Sequence, residues 1–264
     1  MKFKEDLEFG LFVEGNKLEI KGYYLHLSRY KFASRFVKGK VCLDLGCGTG
    51  YGSFFLLKKG AKIVIGGDKS EKALLYANNY YKSKQEKSLE FVYLNATSLP
   101  FVDNFFDVVI SFELIEHLKD HETFLSEIKR VLKKGGILIL STPNRRVGSI
   151  ILTDWKYHIH EFSKGELLNS VNKHFVCSKI YGQGSLNGIN FISWRVRRTA
   201  RRLLEILGMQ KVCILLAGLF RHNRLVPYRI EDFDEIPDGE KVIPLAEDST
   251  PITFVVTATS RYRC

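Results

Sequence analysis

Val41-Cys42-Leu43-Asp44-Leu45-Gly46-Cys47-Gly48-Thr49-Gly50 runs from an apolar strand through an acidic residue into a glycine-rich turn, and Ser53 to Lys59 then reads as a short helix stopped by Gly60. Alternating glycines let the backbone turn tightly and approach a ligand where a Cβ would collide. The pattern points to a nucleotide-like cofactor. A dinucleotide would lay its pyrophosphate on the helix N-terminus, but Asp44 stands just ahead of the first glycine. A carboxylate there repels pyrophosphate and suits a cationic ligand.

Outward from this loop, strands and helices alternate. The aromatic and aliphatic residues between positions 15 and 38 follow a helical spacing that ends at Gly39. Lys62 to Asp68 predicts a buried strand closed by an acid, Glu71 to Tyr81 a helix, and Leu89 to Leu94 and Phe106 to Phe112 two further strands. Glu122 to Leu132 predicts a helix, and Lys133-Lys134-Gly135-Gly136 leads into a strand over Ile137 to Ser141. Such alternation predicts an α/β, Rossmann-like, doubly wound sheet with ligands at the strands' C-terminal ends. Beyond Pro143 a helix is predicted over Glu166 to Asn172, a strand over Val176 to Tyr181 and an antiparallel last strand over Thr253 to Thr259.

The glycine loop with Asp44 resembles the first motif of the class I S-adenosylmethionine (SAM) methyltransferases, whose cofactor carries an ammonium and a sulfonium. Four further segments resemble the family in order: Asp68 at the end of the second strand, Asn95-Ala96-Thr97-Ser98-Leu99-Pro100-Phe101, Phe105 to Glu113, and Leu132 to Asn144. The resemblance covers residues 20–183. It implies a mostly parallel seven-stranded sheet with an antiparallel last strand, in one domain over residues 1–264, with an N-terminal helical cap at 1–38 and an insertion at 184–250. Gly46, Cys47, Gly48 and Gly50 would then form the cofactor loop, and Asp68 would accept from the ribose hydroxyls, with Lys69 beside it. Asn95 would accept from the adenine amino group, with Ala96 and Phe112 as further cofactor-binding residues. Asn95 replaces the aspartate usual at that position, and an amide oxygen accepts the same hydrogen bond. His26-Leu27-Ser28-Arg29-Tyr30 is similar to a segment that closes over the methionyl end in related enzymes, which would set Arg29 against the cofactor carboxylate.

Methyl transfer from a sulfonium needs alignment and exclusion of water. A hydroxyl acceptor must also lose a proton to a base or a metal-polarised site. Glu113-Leu114-Ile115-Glu116-His117 follows the fourth-strand segment, and on a helical turn positions i, i+3 and i+4 share a face. The run resembles the divalent-metal site of ubiquinone-pathway O-methyltransferases and small-RNA 2′-O-methyltransferases. His158, three residues before Glu161, matches their later histidine ligand. The resemblance implies Glu113, Glu116, His117 and His158 as ligands for Mg²⁺ or Mn²⁺, and His117 and His158 as catalytic groups. A metal-free role for His117 as base, or a structural one, stays open.

The Tyr157 to Gln183 stretch is similar to bacterial SAM methyltransferases of cell-surface glycan pathways, so a sugar hydroxyl or small molecule is the expected acceptor. RNA ribose 2′-O-methylation and a non-catalytic SAM-binding regulator are the alternatives. A ubiquinone-type phenol acceptor also stays open. Net charge is +11 over 264 residues. Positions 194 to 224 hold eight bases against Glu205, and positions 231 to 248 hold eight acids against Lys241. Opposed blocks suit mutual packing or a polyanionic partner. A basic amphipathic helix at 194–224 suits peripheral docking on anionic membrane or a lipid-linked glycan, and nucleic acid is the less favoured partner. Five scattered cysteines without a C-x-x-C predict reduced thiols. The lack of a leader-like start or a spanning apolar run predicts a cytoplasmic protein, peripheral to the inner membrane face if that helix docks.

Overall fold

In the computed structural model, which describes residues 11–13, 17–81, 87–145, 158–185, 225–227, 242–244 and 251–260, the β-branched runs form strands and the amphipathic runs helices. The order is β1 (Leu11–Val13), α1 (Lys17–Ala33), β2 (Val41–Leu45), α2 (Tyr51–Lys58), β3 (Ile63–Asp68), α3 (Glu71–Tyr80), β4 (Leu89–Tyr93), β5 (Phe106–Phe112), α4 (His121–Val131), β6 (Leu132–Pro143), α5 (Lys164–His174), β7 (Val176–Ser185), β8 (Leu225–Pro227), β9 (Val242–Pro244) and β10 (Pro251–Thr259). Short 3-10 turns lie at Ser34–Phe36 and Ile115–His117. Side chains start the helices where the sequence supplies caps. Ser70 accepts from Ala73 N–H and Asp120 from Thr123 N–H, and Ser163 with Glu166 forms a reciprocal capping box.

The main sheet runs β4-β3-β2-β5-β6-β10-β7-β9. Strands β2 to β6 pair in parallel, and β10 is antiparallel to both β6 and β7. This is the expected seven-stranded doubly wound sheet, with the short β9 added antiparallel to β7 at the edge. Two apolar layers sandwich it. Leu27, Phe55, Leu56 and Val64 pack on one face, and Leu43, Val109, Phe124, Ile128 and Leu167 on the other.

Two accessory expectations change. The N-terminal cap is not wholly helical, because β1 precedes α1 and pairs antiparallel with β8 from the insertion. Strand β6 starts directly after α4 rather than at Ile137, because Gly135 adopts φ +77° and lets the chain pass through Lys133-Lys134-Gly135-Gly136 without leaving the sheet. The basic helix expected at 194–224 lies outside the described residues, as does the acidic stretch apart from β9. No described helix is long and apolar enough to cross a membrane.

Strand order reverses direction between β2 and β5. That switch point opens a crevice at the strands' C-terminal ends, which is where the glycine loop sits.

Candidate active site

Gly46, Gly48 and Gly50 adopt φ of +84°, +53° and +84°, backbone that side chains with a Cβ rarely take. A Cβ on Gly50 would also fall 2.6 Å from the Phe91 ring. The loop is tied to β3: Gly46 N–H donates to the Gly67 carbonyl (2.8 Å) and Gly48 N–H to Asp68 Oδ2 (2.9 Å). Ser70 N–H takes the other Asp68 oxygen (2.8 Å). Asp68 is thus held by two backbone donors, half-buried at the crevice rim, with lone pairs left for hydroxyl donors. Lys69 beside it is exposed.

Asp44 lies deeper than its place in the sequence implies. It is buried, and its carboxylate accepts from Ser53 Oγ (2.6 Å) and from Tyr30 Oη (3.1 and 3.2 Å). Burial pushes its carboxyl up to about 7, with the two hydroxyls pulling the other way and the Asp68 charge adding to the rise. Tyr30 is the residue that sequence reading missed as part of the site. Its ring packs edge-to-face on Phe112 (5.1 Å) and fills the space above Gly52, where a Cβ would fall 2.0 Å away. The signal was present, since Gly52 continues the alternation of Gly46, Gly48 and Gly50. Cys47 is buried beneath the loop, where burial and then Asp44 hold its thiol well above the usual value. It is therefore a packing group rather than a nucleophile.

Asn95 closes a turn: Oδ1 accepts from the Thr97 N–H (3.1 Å) and Oγ1 (3.0 Å). Its amide oxygen is committed locally, so an adenine amino group would share it. Ala96 is buried behind this turn.

The Glu113 to His117 run departs from a helical face. Glu113 takes φ +53°, a conformation that costs a non-glycine residue about 1–3 kcal/mol, and this turns its side chain away from Glu116. Its Oε1 instead meets Arg29 Nη1 at 2.7 Å and accepts from Ser141 Oγ at 2.8 Å. Arg29 and Glu113 are both buried (side chains 2% and 6% exposed). Their 2.7 Å approach is an ion contact without hydrogen-bond alignment, because Arg29 Nε and Nη1 and Glu113 Oε2 lack hydrogen-bond partners. In this structure Arg29 therefore neutralises Glu113, where the sequence set it against a cofactor carboxylate.

Glu116 is fully buried and accepts from Thr142 Oγ1 (3.1 Å), while its Oε1 has no partner. Burial, then the Glu113 charge, pushes its carboxyl well above the usual range. Its backbone carbonyl accepts from the Ile159 and His160 N–H groups (2.8 and 3.1 Å), and Asn144 bridges to Phe162. These bonds seat the 158–162 segment on the 3-10 turn and bring His158 to His117, rings 5.0 Å apart. His158 Nδ1 faces Glu161 Oε1 at 3.4 Å. One ligand atom each from Glu116, His117 and His158 lies within 4.8 Å of the others. An octahedral ion with ligands near 2.1 Å spaces them by roughly 3–4 Å, so a small contraction would close the set on Mg²⁺ or Mn²⁺. Glu113 is not in that group. Its carboxylate is held by Arg29 and Ser141, so three of the four expected ligands converge.

Residues 43–140 match the methyltransferase domain family. The chain is similar to a probable S-adenosylmethionine-dependent methyltransferase of Mycolicibacterium smegmatis, 39% identical over 107 residues that make up 40% of this chain and 39% of that one. It is also similar to a ubiquinone biosynthesis O-methyltransferase of Rhizobium johnstonii, 31% identical over 127 residues, 48% and 50% of the two chains. The chain thus spans half or less of the length of these relatives. In fold it resembles a Thermotoga maritima SAM-dependent methyltransferase described as a possible histamine N-methyltransferase. There the TM-score is 0.58 at 19% identity, over 92% of each chain.

Proposed function

We propose that this chain, whose residues 43–140 match the methyltransferase domain family and which is similar to a probable S-adenosylmethionine-dependent methyltransferase, is a class I SAM-dependent methyltransferase that methylates a hydroxyl on a hydroxyl-rich acceptor, a sugar or glycan in the first instance. The observation that carries this reading is the cluster of buried Glu116 with half-buried His117 and His158 at the crevice end of β5 and β6, beside the glycine loop. Kinship to an enzyme named as an O-methyltransferase supports an oxygen acceptor.

The residues fit the cofactor. Glycines at positive φ bring main chain to the ligand, Asp68 offers lone pairs to a ribose diol, and the Asn95–Ala96 turn offers backbone to a base edge. SAM, when bound, supplies a methyl group activated on a sulfonium. The chain's own residues then have the acceptor to handle. His117 or His158 takes the hydroxyl proton, and Glu161, 3.4 Å from His158 Nδ1, orients that ring. Arg29 Nε, Glu113 Oε2 and Glu116 Oε1, buried without hydrogen-bond partners, offer one donor and two acceptors to a polyol. Unmet polar atoms at such depth are costly, so a ligand that meets them gains affinity. A divalent cation on Glu116, His117 and His158 would lower the hydroxyl pKa.

Purified chain incubated with methyl-labelled SAM and fractionated glycans should transfer label to a hydroxyl. His117→Ala and His158→Ala should each reduce transfer about 10²–10⁴-fold while SAM affinity is kept. Full transfer by the doubly substituted chain would overturn the proton-acceptor role. Transfer unchanged by EDTA would remove the metal.

A further inference from the structure

The pole of the sheet opposite the crevice is strongly basic. From Lys31 to Gly67 the chain has seven bases and a single acid, Asp44, and Asp44 is buried under the glycine loop. The fold gathers the bases. Gly39 N–H donates to the Gly60 carbonyl (2.7 Å), Lys62 N–H to the Lys40 carbonyl (2.8 Å), and Lys38 bridges to Ala61. This zipper joins the loops that feed the N-terminal ends of β2 and β3, and sets Lys38, Lys40, Lys59 and Lys62 on one exposed rim with Lys58 and Arg35.

The charges lie on an aromatic bed. Arg35 stacks over Phe32 (5.2 Å) and Lys58 over Phe54 (5.2 Å). Phe54 meets Tyr81 (5.2 Å), and Tyr81 meets Tyr80 (4.8 Å), which ends α3 at the same pole and is 56% exposed. The neighbouring half of the pole differs. There Asp103 and Glu127 pair with Arg130, and Asp107 with Lys133, so its charges cancel within the protein. Lys40 also feels Asp107, whereas Lys38, Lys59 and Lys62 meet no carboxylate within 4.0 Å among the described residues.

We propose that this rim is a docking surface for an anionic lipid bilayer. Compact lysine ammonium groups attract a charged plane without reading shape, whereas phosphodiester recognition favours arginine forks or aromatic platforms free to stack bases. Here Tyr80, the exposed ring beside these lysines, is stacked on Tyr76 (5.5 Å, planes 11° apart), and a tyrosine at such a rim suits the headgroup layer. Docked this way, the cofactor crevice faces away from the membrane by the length of β3, roughly 20 Å. It would then receive acceptors from solvent or from headgroups that project that far.

The test is co-sedimentation of the full chain with vesicles of phosphatidylcholine alone and with phosphatidylglycerol added, at low and raised salt. Binding should require the anionic lipid and weaken with salt. Lys38→Glu/Lys59→Glu/Lys62→Glu should cut partitioning by at least about 100-fold with SAM affinity unchanged. Arg201→Glu/Arg202→Glu, in the basic 194–224 stretch of the sequence, should cut it less. Three results would overturn the proposal: no binding to anionic vesicles, loss only in the Arg201/Arg202 variant, or a rim that binds single-stranded oligonucleotide while ignoring vesicles.

Discussion

Removing the guanidinium of Arg29 should destabilise the protein out of proportion to one contact. Arg29 is among the largest fully buried side chains, and Glu113 beside it is 6% exposed on its side chain. Arg29→Met keeps most of the volume and leaves a buried carboxylate with Ser141 Oγ as its remaining partner. Breaking a buried pair from one side costs about 3–5 kcal/mol, and the Ser141 bond, already made in the wild type, holds the loss to the lower end of that range. The net expectation is about 3 kcal/mol, a large share of the 5–15 kcal/mol typical of a domain. Glu113→Gln in the same background removes the stranded charge, so the double variant should lie within about 1 kcal/mol of wild type. Urea unfolding of the four proteins, followed by circular dichroism without cofactor, gives the coupling energy directly. A double variant that loses the sum of the single losses would refute the pairing, as would Arg29→Met within about 0.5 kcal/mol of wild type.

Asp44 makes stability pH-dependent in a definite sense. Its folded carboxyl is pushed up to about 7 from 3.8, so between those values the folded chain holds a proton the unfolded chain has lost. Stability therefore falls as pH rises through that window, by about 4 kcal/mol in all. Asp44→Asn should flatten the urea-midpoint profile there, and an unchanged slope would contradict the assignment. Gly52→Ala drives a Cβ into the Tyr30 ring. It should cost about 1–3 kcal/mol by overpacking and weaken SAM binding in calorimetry, and Tyr30→Ala should destabilise the Gly52→Ala chain less than it destabilises the wild type. Since burial keeps the Glu116 carboxyl protonated well above the usual range, Mn²⁺ binding at the cluster should strengthen with pH and release protons. Glu116→Gln should abolish that binding, read by paramagnetic resonance, while leaving the unfolding midpoint nearly unchanged.

Local signals in the sequence picked out the glycine loop and Asp68. The alternating glycines, the strand periods and Asp68 all act within a few residues of one another, and the structure sets them together at the switch point. What the sequence hid were contacts made across the fold. Tyr30 and Asp44 belong to different layers, and Arg29 reaches Glu113 only after α1 packs over the crevice. The helical-face argument for Glu113, Glu116 and His117 failed at one dihedral, because the left-handed Glu113 breaks the turn on which the spacing rule depends. His158 joined the cluster through backbone bonds to the Glu116 carbonyl, which no side-chain spacing reveals. Asn95 was read as a ligand acceptor, yet its oxygen first serves its own turn, a local competition common for asparagine.

Strands β6 and β7 are not neighbours, and the gap between them is filled by β10 alone, whose Val255 and Val256 are fully buried. While residues 186–250 are still being synthesised, neither β6 nor β7 has the strand that pairs with both of them, and each leaves an edge of amides and carbonyls unpaired. At about 5–20 residues per second that interval lasts several seconds. A nascent chain of this design offers chaperones, or a neighbouring nascent copy, ready edges, and β10 must compete for them.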